Sequence, residues 1–327
     1  MRAVRVEAYG PQPELSVREV ATPRPGHGQV LVRMNLAPVH PFDIAFCKGE
    51  HGFRKPLPAI PGFEGVGVVV AAGGGIVPNL VAGRRVACVV GEHEAGTWAE
   101  YAVVDAGACM PVWNALSDEA ASTLSLYPVA ALGLLDELRA GGHDAAVLVG
   151  AGSLGRILLQ LALAEGFRLV SVVRGAAEAE EVRAMGGTDI VDMLDPEFDA
   201  KLRRAVREHR ATAAVDAVGG SWTARVLAAL PDGADAIVCG FASGEPLQID
   251  PRDLVFRRLT VRGFLVSGHR SRRGVAGVLG MLPRLRRHAN DALSIRVARR
   301  IELSDLPDVW STLDADTHGG TVLVRTR

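Results

Sequence analysis

Three glycines, Gly150, Gly152 and Gly155, stand in a G-x-G-x-x-G spacing directly after the apolar run AAVLV and directly before the helix-forming run ILLQLALA. A strand that turns into a helix in this way presents the first N–H groups of the helix, which have no intrahelical partner, to an anion. Gly150 makes the tight turn, Gly152 lets a diphosphate approach the backbone, and Gly155 allows the helix to pack closely on the strand. Ser153 adds a hydroxyl donor, and Ala151 and Leu154 complete the turn. Residues 150–155 are therefore expected to bind a dinucleotide.

The next apolar run, RLVSVV, ends at Arg174. An acidic residue at this strand end would hold the hydroxyls of an NAD ribose, whereas a forked guanidinium pairs with a 2′-phosphate. Arg174 thus favours NADPH; the alternative is an arginine that is simply solvated. Farther on, AVGG (Ala217–Gly220) and CGFASG (Cys239–Gly244), with Gly240 and Phe241, fall at the ends of two more apolar runs. Open α/β sheets bind ligands beyond their strand carboxyl ends, so these segments are suited to lining the nicotinamide and ribose.

The elements that must position these residues are legible in the periodicity. From Met1 to about Ser117 the chain consists of short alternating runs (MRAVRVEAYG, GQVLVRM, GVGVVVAAG, RRVACVV, WAEYAVV) broken by Gly and Pro, which predicts a β-rich first domain. From LSDEAASTLSL onward, with Ser117 as a helix cap, strands alternate with amphipathic helical stretches: AAVLVGA, RLVSVV, DIVDM, AAVDAVG, DAIVCGF and LTVRGFLV. That alternation predicts an α/β fold with a doubly wound parallel sheet. The boundaries read as 1–118 and 119–266. The tail 267–327, with one helical segment, a short strand and the terminal TVLVRTR, is expected to complete the first domain.

Composition narrows the function classes. With 327 residues, 48% of them apolar and 22% charged, the chain is long enough for two packed domains. A net charge of −1 supplies no broad basic field, so nucleic acid is not an expected partner. Local clusters such as Arg270, Arg272 and Arg273 read as solvated surface. Cys47, Cys88, Cys109 and Cys239 have neither disulfide-scaffold nor CxxC spacing, which suits reduced thiols in a cytoplasmic protein. No signal core or transmembrane-length apolar run is seen, so no membrane is expected as a partner.

The order of motifs resembles the medium-chain dehydrogenase/reductase superfamily, and within it the zinc-free mitochondrial-type 2-enoyl thioester reductases and quinone oxidoreductases. GHGQVLVR (Gly26–Arg33), HPFDI (His40–Ile44), IPGFEGVGVV (Ile60–Val69) and TWAEY (Thr97–Tyr101) carry it in the first domain. GSLGRILLQLA (Gly152–Ala162), SVVR (Ser171–Arg174), AVGG and SGEPLQIDPRDLVFRRLTVRGF (Ser243–Phe264) carry it in the second. The resemblance implies a GroES-like catalytic domain and a Rossmann domain, hydride transfer from NADPH to a small-molecule substrate in an interdomain cleft, and a homodimer formed through sheet edges. It also places His40, Phe63 and Tyr127 where zinc-dependent relatives hold their catalytic metal, with Glu64 beside the lost histidine. Phenylalanine cannot coordinate, and no four-cysteine lobe lies between Val86 and Val112, so neither zinc is expected.

The family's enoyl reductases carry a candidate acid, a tyrosine in a GxYG-like segment; here that segment is GEHG, with His51 in its place. The usual Asn-Pro is His40-Pro41, and a second asparagine is Tyr127, before Pro128. Two roles stay open for His40 and Tyr127: a replacement donor pair, with Tyr127 giving the proton and His40 orienting or recharging it, or simple cavity filling. His51 either faces solvent on a mobile lip or donates inward to an enolate oxygen, and water is a further proton source. The family's GFWL appears as Phe264, Leu265 and Val266 after Gly263, which opens space near the nicotinamide, and a common lysine is Thr321. Asp43 and Glu64 read as structural acceptors. Arg54, Lys55, Arg257 and Arg258 read as solvated, with contact to the phosphates of a CoA- or acyl-carrier-linked substrate as the alternative.

These features lead to an NADPH-dependent reductase of an activated carbon–carbon double bond, a 2-enoyl thioester or related α,β-unsaturated carbonyl. The alternatives are an NADPH:quinone oxidoreductase and an NADPH-binding protein with little turnover.

Overall fold

The computed structural model describes residues 1–289 and 295–327. The chain divides into two packed units, Met1–Leu126 with Gly274–Leu282 and the terminal segment to Arg327, and Tyr127–Arg273 with the segment from Pro283.

In the first unit the long strand Gln29–Val39 is the axis of the main sheet. It pairs antiparallel with Glu64–Ala72, Thr321–Arg325 and Tyr101–Asp105. Its alternation sends Val30, Val32 and Met34 inward, each fully buried, as period-two patterning requires. Glycine permits the tightest approach in this sheet, since a Cβ on Gly67 would sit 2.2 Å from the Arg33 carbonyl. The sheet runs from Val297–Glu302 through Thr321–Arg325, Gln29–Val39, Glu64–Ala72 and Arg85–Val89 to Cys109–Pro111, and a separate hairpin joins Arg2–Ala8 to Glu14–Glu19. Trp98 is fully buried beneath it and donates its ring N–H to the Pro38 carbonyl at 3.1 Å.

The division between the units falls after Leu126 and not at 118/119. Asp118 accepts from Arg85 Nε at 2.6 Å and Asn35 Nδ2 at 2.8 Å, and the Leu126 N–H is held by Glu64 at 2.7 Å. These bonds tie 118–126 to the first unit. The return to that unit begins at Gly274 and not 267, where helix Val266–Leu279 breaks at a left-handed glycine. Helix Leu306–Gly319 is absent from the sequence reading, as are the short helices Pro41–Lys48 and Ile76–Val81. The signal of the first was present as Leu306, Val309, Trp310 and Leu313, an i, i+3, i+4, i+7 stripe that packs on the first core.

All six expected strands of the second unit form one parallel sheet. Its order is Ile190–Asp192, Arg168–Val173, Ala145–Val149, Ala213–Asp216, Asp235–Val238, Thr260–Gly263. In chain order that is 3-2-1-4-5-6, the doubly wound arrangement. Ala145–Val149 is buried along its whole length, as a central parallel strand covered on both faces must be.

Two of the arginines read as solvated surface are exposed and also form ion pairs. Arg273 pairs with Asp136 at 2.7 Å and Arg272 with Glu137 at 3.3 Å, on helix Tyr127–Ala140, while Arg284 bridges Asp136 at 2.6 Å and Glu165 at 2.8 Å. None of the four cysteines is in a disulfide. Among the described residues, no helix is long and apolar enough to cross a membrane.

Candidate active site

In the second unit the glycine turn has the geometry that phosphate binding needs. Gly150 is left-handed at φ 97°, while Gly152 is extended and caps helix Ser153–Ala164. A Cβ on Gly155 would lie 2.1 Å from the Gly150 carbonyl, so only glycine lets the helix seat here. A Cβ on Gly152 would meet nothing within 4 Å; its exposed backbone leaves the space a diphosphate requires. The turn is braced by Arg156, whose Nε donates to the Ala151 carbonyl at 2.7 Å and whose guanidinium pairs with Glu181. Ser153 and Leu154 lie in the first helical turn, partly buried.

Arg174 follows the next strand. Its side chain is exposed, and its backbone N–H is fixed by Glu178 at 2.8 Å. Asp216 organises the AVGG segment: buried, it accepts from Val218 N at 2.8 Å, Gly219 N at 2.9 Å and the Thr223 hydroxyl at 2.5 Å. Sequence reasoning missed Asp216, although an acid at a strand end before Gly-Gly is a readable signal. Gly240 packs against Ala217, where a Cβ would come within 2.4 Å of the carbonyl. Phe241 and Leu265 are exposed, Phe264 is buried and Val266 is intermediate. All these positions lie at the carboxyl ends of parallel strands, where the fold can hold a pyridine nucleotide. Tyr127 opens helix Tyr127–Ala140 and is partly exposed.

The first unit gathers His40, Asp43, His51, Lys55, Phe63 and Glu64. His40 caps helix Pro41–Lys48, and its backbone N–H donates to Asp43 Oδ2 at 2.7 Å while Phe63 N donates to Asp43 Oδ1 at 3.1 Å. Burial pushes the Asp43 carboxyl up to about 7, against the lowering influence of His40. His40 Nε2 lies 3.0 Å from Glu64 Oε2, and burial raises the Glu64 carboxyl above its usual range. This nitrogen is therefore engaged inside the unit, which makes His40 an ordering residue before it is anything else.

The His51 ring is partly exposed and packs on two phenylalanines. Its ring stacks on Phe63 at 5.3 Å with planes 20° apart and meets Phe53 edge-on at 4.5 Å. The loop is clamped on both sides: Arg54 gives two hydrogen bonds to the Gly49 carbonyl, at 3.1 and 2.9 Å, and the Tyr9 hydroxyl bonds both N–H and carbonyl of Lys55, at 3.0 and 2.9 Å. Phe53 N approaches His51 Nδ1 at 3.5 Å, an arrangement that suits a ring protonated on Nε2. Burial, then the nearby Lys55 charge, lowers the His51 pKa, which favours the neutral ring.

Lys55 departs from the sequence reading. It is 9% exposed, and its ammonium lies over the rings of Phe63 at 5.2 Å and Phe46 at 5.7 Å. Nothing in FRKPLP distinguishes such a lysine from a solvated one, because its cover comes from segments distant in sequence. Arg257 is likewise structural, bound by Asp232 at 3.1 Å and Asp253 at 2.9 Å. Among the described residues, no group of three or more His, Cys, Asp and Glu side chains is arranged to hold a metal ion.

Comparison with known proteins agrees with this architecture. The model for the alcohol dehydrogenase GroES-like domain matches residues 26–114, and that for zinc-binding dehydrogenase matches 153–279. A mitochondrial enoyl-[acyl-carrier-protein] reductase of Arabidopsis thaliana is 28% identical over 277 residues, covering 80% of this chain and 71% of the relative. A candidate NADPH:quinone reductase from Mesorhizobium loti superposes with a TM-score of 0.88 at 28% identity, covering 99% of this chain and 98% of the other. A mycobacterial structure complexed with NADPH gives a TM-score of 0.84 at 26% identity, covering 99% of this chain and 100% of the other.

Proposed function

Because this chain belongs to the medium-chain dehydrogenase/reductase superfamily and has its pyridine-nucleotide-binding fold, we propose that it uses NADPH to reduce a carbon–carbon double bond conjugated to a carbonyl. A 2-enoyl thioester, on CoA or an acyl carrier, is the first substrate to test. The observation that carries this reading is the His51 ring, packed against Phe53 and Phe63 beside the buried Lys55.

Bound NADPH would supply a hydride from its nicotinamide ring. The turn Gly150–Gly155, with Ala151, Gly152, Ser153 and Leu154, would hold the diphosphate, and Arg174 the 2′-phosphate. Gly240, Phe241, Phe264, Leu265 and Val266 would line the nicotinamide end. As hydride reaches the β-carbon, the π pair moves onto the carbonyl oxygen, and the α-carbon then takes a proton. His51 Nε2–H is suited to donate to that oxygen; a neutral imidazole can do so without giving up a full charge. Tyr127 is the second candidate for the proton itself, tested by Tyr127→Phe. His40 supports the site from its bond to Glu64. No step needs zinc, and the phenyl ring of Phe63 and the His40–Glu64 bond support a zinc-free reaction.

Quinone reduction is the second reading, favoured by the partly exposed rings of Phe42, Phe53 and His51, which suit a flat substrate. NADPH binding with little turnover is the third. A homodimer through edge strand Thr260–Gly263 is also proposed, supported by exposed Val255 and Phe256 beside it and tested by light scattering. For function, the experiment is cofactor oxidation with crotonyl-CoA, an enal and a quinone side by side, NADH being the control. Thioester reduction supports the first reading and quinone-only activity the second. Tight NADPH binding without oxidation supports the third.

A further inference from the structure

Lys55 presents an energetic problem that the aromatic cluster around it does not solve. Its ammonium donates to the Glu94 carbonyl at 2.5 Å, and no carboxylate among the described residues forms a salt bridge with it. The two neighbouring acids are committed elsewhere. Glu94 accepts from the N–H groups of Gly91 at 2.7 Å and Asp105 at 2.9 Å, and Asp43 from those of His40 and Phe63 at 2.7 and 3.1 Å. An ammonium has three donors, and here one is used. Burying a cation carries a desolvation cost that a ring face returns only in part. The rings of Phe46 and Phe63 therefore do not offset the cost, yet the backbone of Lys55 is clamped on both sides by Tyr9.

We infer that Lys55 is the anchor for an anionic or anion-developing oxygen on a planar, conjugated ligand whose body lies among His51, Phe53 and Phe63. The missing counter-ion belongs to the ligand. An oxygen there completes the ammonium's hydrogen bonding, and the rings take the flat carbon skeleton. The inference deepens the proposed function and rests on the same site: the oxygen would be the carbonyl that gains charge as the double bond is reduced, shared between Lys55 and His51.

The test uses two non-reacting probes in the absence of NADPH, the planar carboxylate cinnamate and its uncharged amide cinnamamide, titrated calorimetrically at pH 7. The wild type is expected to bind cinnamate at least about tenfold more tightly than cinnamamide, as a charge-assisted hydrogen bond implies. Lys55→Met should erase that preference with circular dichroism unchanged, and Lys55→Arg should keep part of it. Equal binding of both probes by the wild type, or no binding of cinnamate, overturns the inference whether or not the methionine variant folds. Undiminished preference in a folded Lys55→Met does the same. Because no turnover is measured, failure to reduce any enone would count against the proposed function alone, and Lys55-independent cinnamate binding by an active reductase would count against this inference alone.

Discussion

His40 Nε2 and Glu64 Oε2 are 3.0 Å apart, with both residues almost wholly buried. The second Glu64 oxygen holds the Leu126 N–H, so one carboxyl ties the loop before helix Pro41–Lys48 to the end of the first unit. Glu64→Ala would leave a buried imidazole and a buried N–H without their acceptor, at a cost of roughly 2–5 kcal/mol in urea unfolding. Glu64→Gln keeps one acceptor and should cost less. Equal stability of the alanine variant would refute a structural role for the pair.

For His51, replacement by Phe preserves the stacking on Phe63 and removes the Nε2 donor. If that donor meets the developing oxygen, kcat should fall by about 10²–10³-fold with KM little changed. A raised KM at constant kcat would instead show that His51 only packs against substrate.

The two glycines of the turn should fail differently. Gly155→Ala forces a Cβ onto the Gly150 carbonyl and should lower the melting temperature as well as cofactor affinity. Gly152→Ala meets no protein atom within 4 Å and has an ordinary φ of −67°, so stability should hold while NADPH binding weakens. Unchanged NADPH affinity in a stable Gly152→Ala would argue against diphosphate contact at this turn.

Arg174→Ala tests the cofactor preference. Loss of a charge-assisted contact worth about 1.5–3 kcal/mol should raise the KM for NADPH roughly 10- to 100-fold and leave that for NADH near wild type. Parallel changes with both cofactors would remove Arg174 from the 2′-phosphate site.

Lys55 should also leave a mark on stability. Burial lowers its pKa to about 8 from the ordinary 10.5, so between these values the unfolded chain binds more protons than the folded one. Stability from this group therefore rises with pH from about 8 to 10.5, and the charged form is a cost below that window. Lys55→Met should be at least as stable as wild type at pH 7, by a margin on the order of 1–3 kcal/mol that shrinks toward pH 10.5. A variant clearly less stable than wild type at pH 7 would show that the buried ammonium is already well compensated.

The sequence by itself determined the second unit's sheet and its glycine turn. Strand alternation, the run ILLQLALA and the spacing of Gly150, Gly152 and Gly155 are local properties, written within a few residues of where they act. The superfamily resemblance was carried by equally local motifs. Tertiary structure decided what surrounds each polar side chain. His51 was readable as outward or inward until Phe63, twelve residues away, supplied the surface it stacks on. Lys55 and Arg54 are neighbours in FRKPLP, yet Arg54 is exposed and Lys55 is buried by Phe46, Phe63 and the Glu94 loop. The boundary after Leu126 depended on a hydrogen bond spanning sixty-two positions to Glu64. Burial and charge state follow from segments far apart in sequence, and those are the quantities that turn a histidine or a lysine into a functional group.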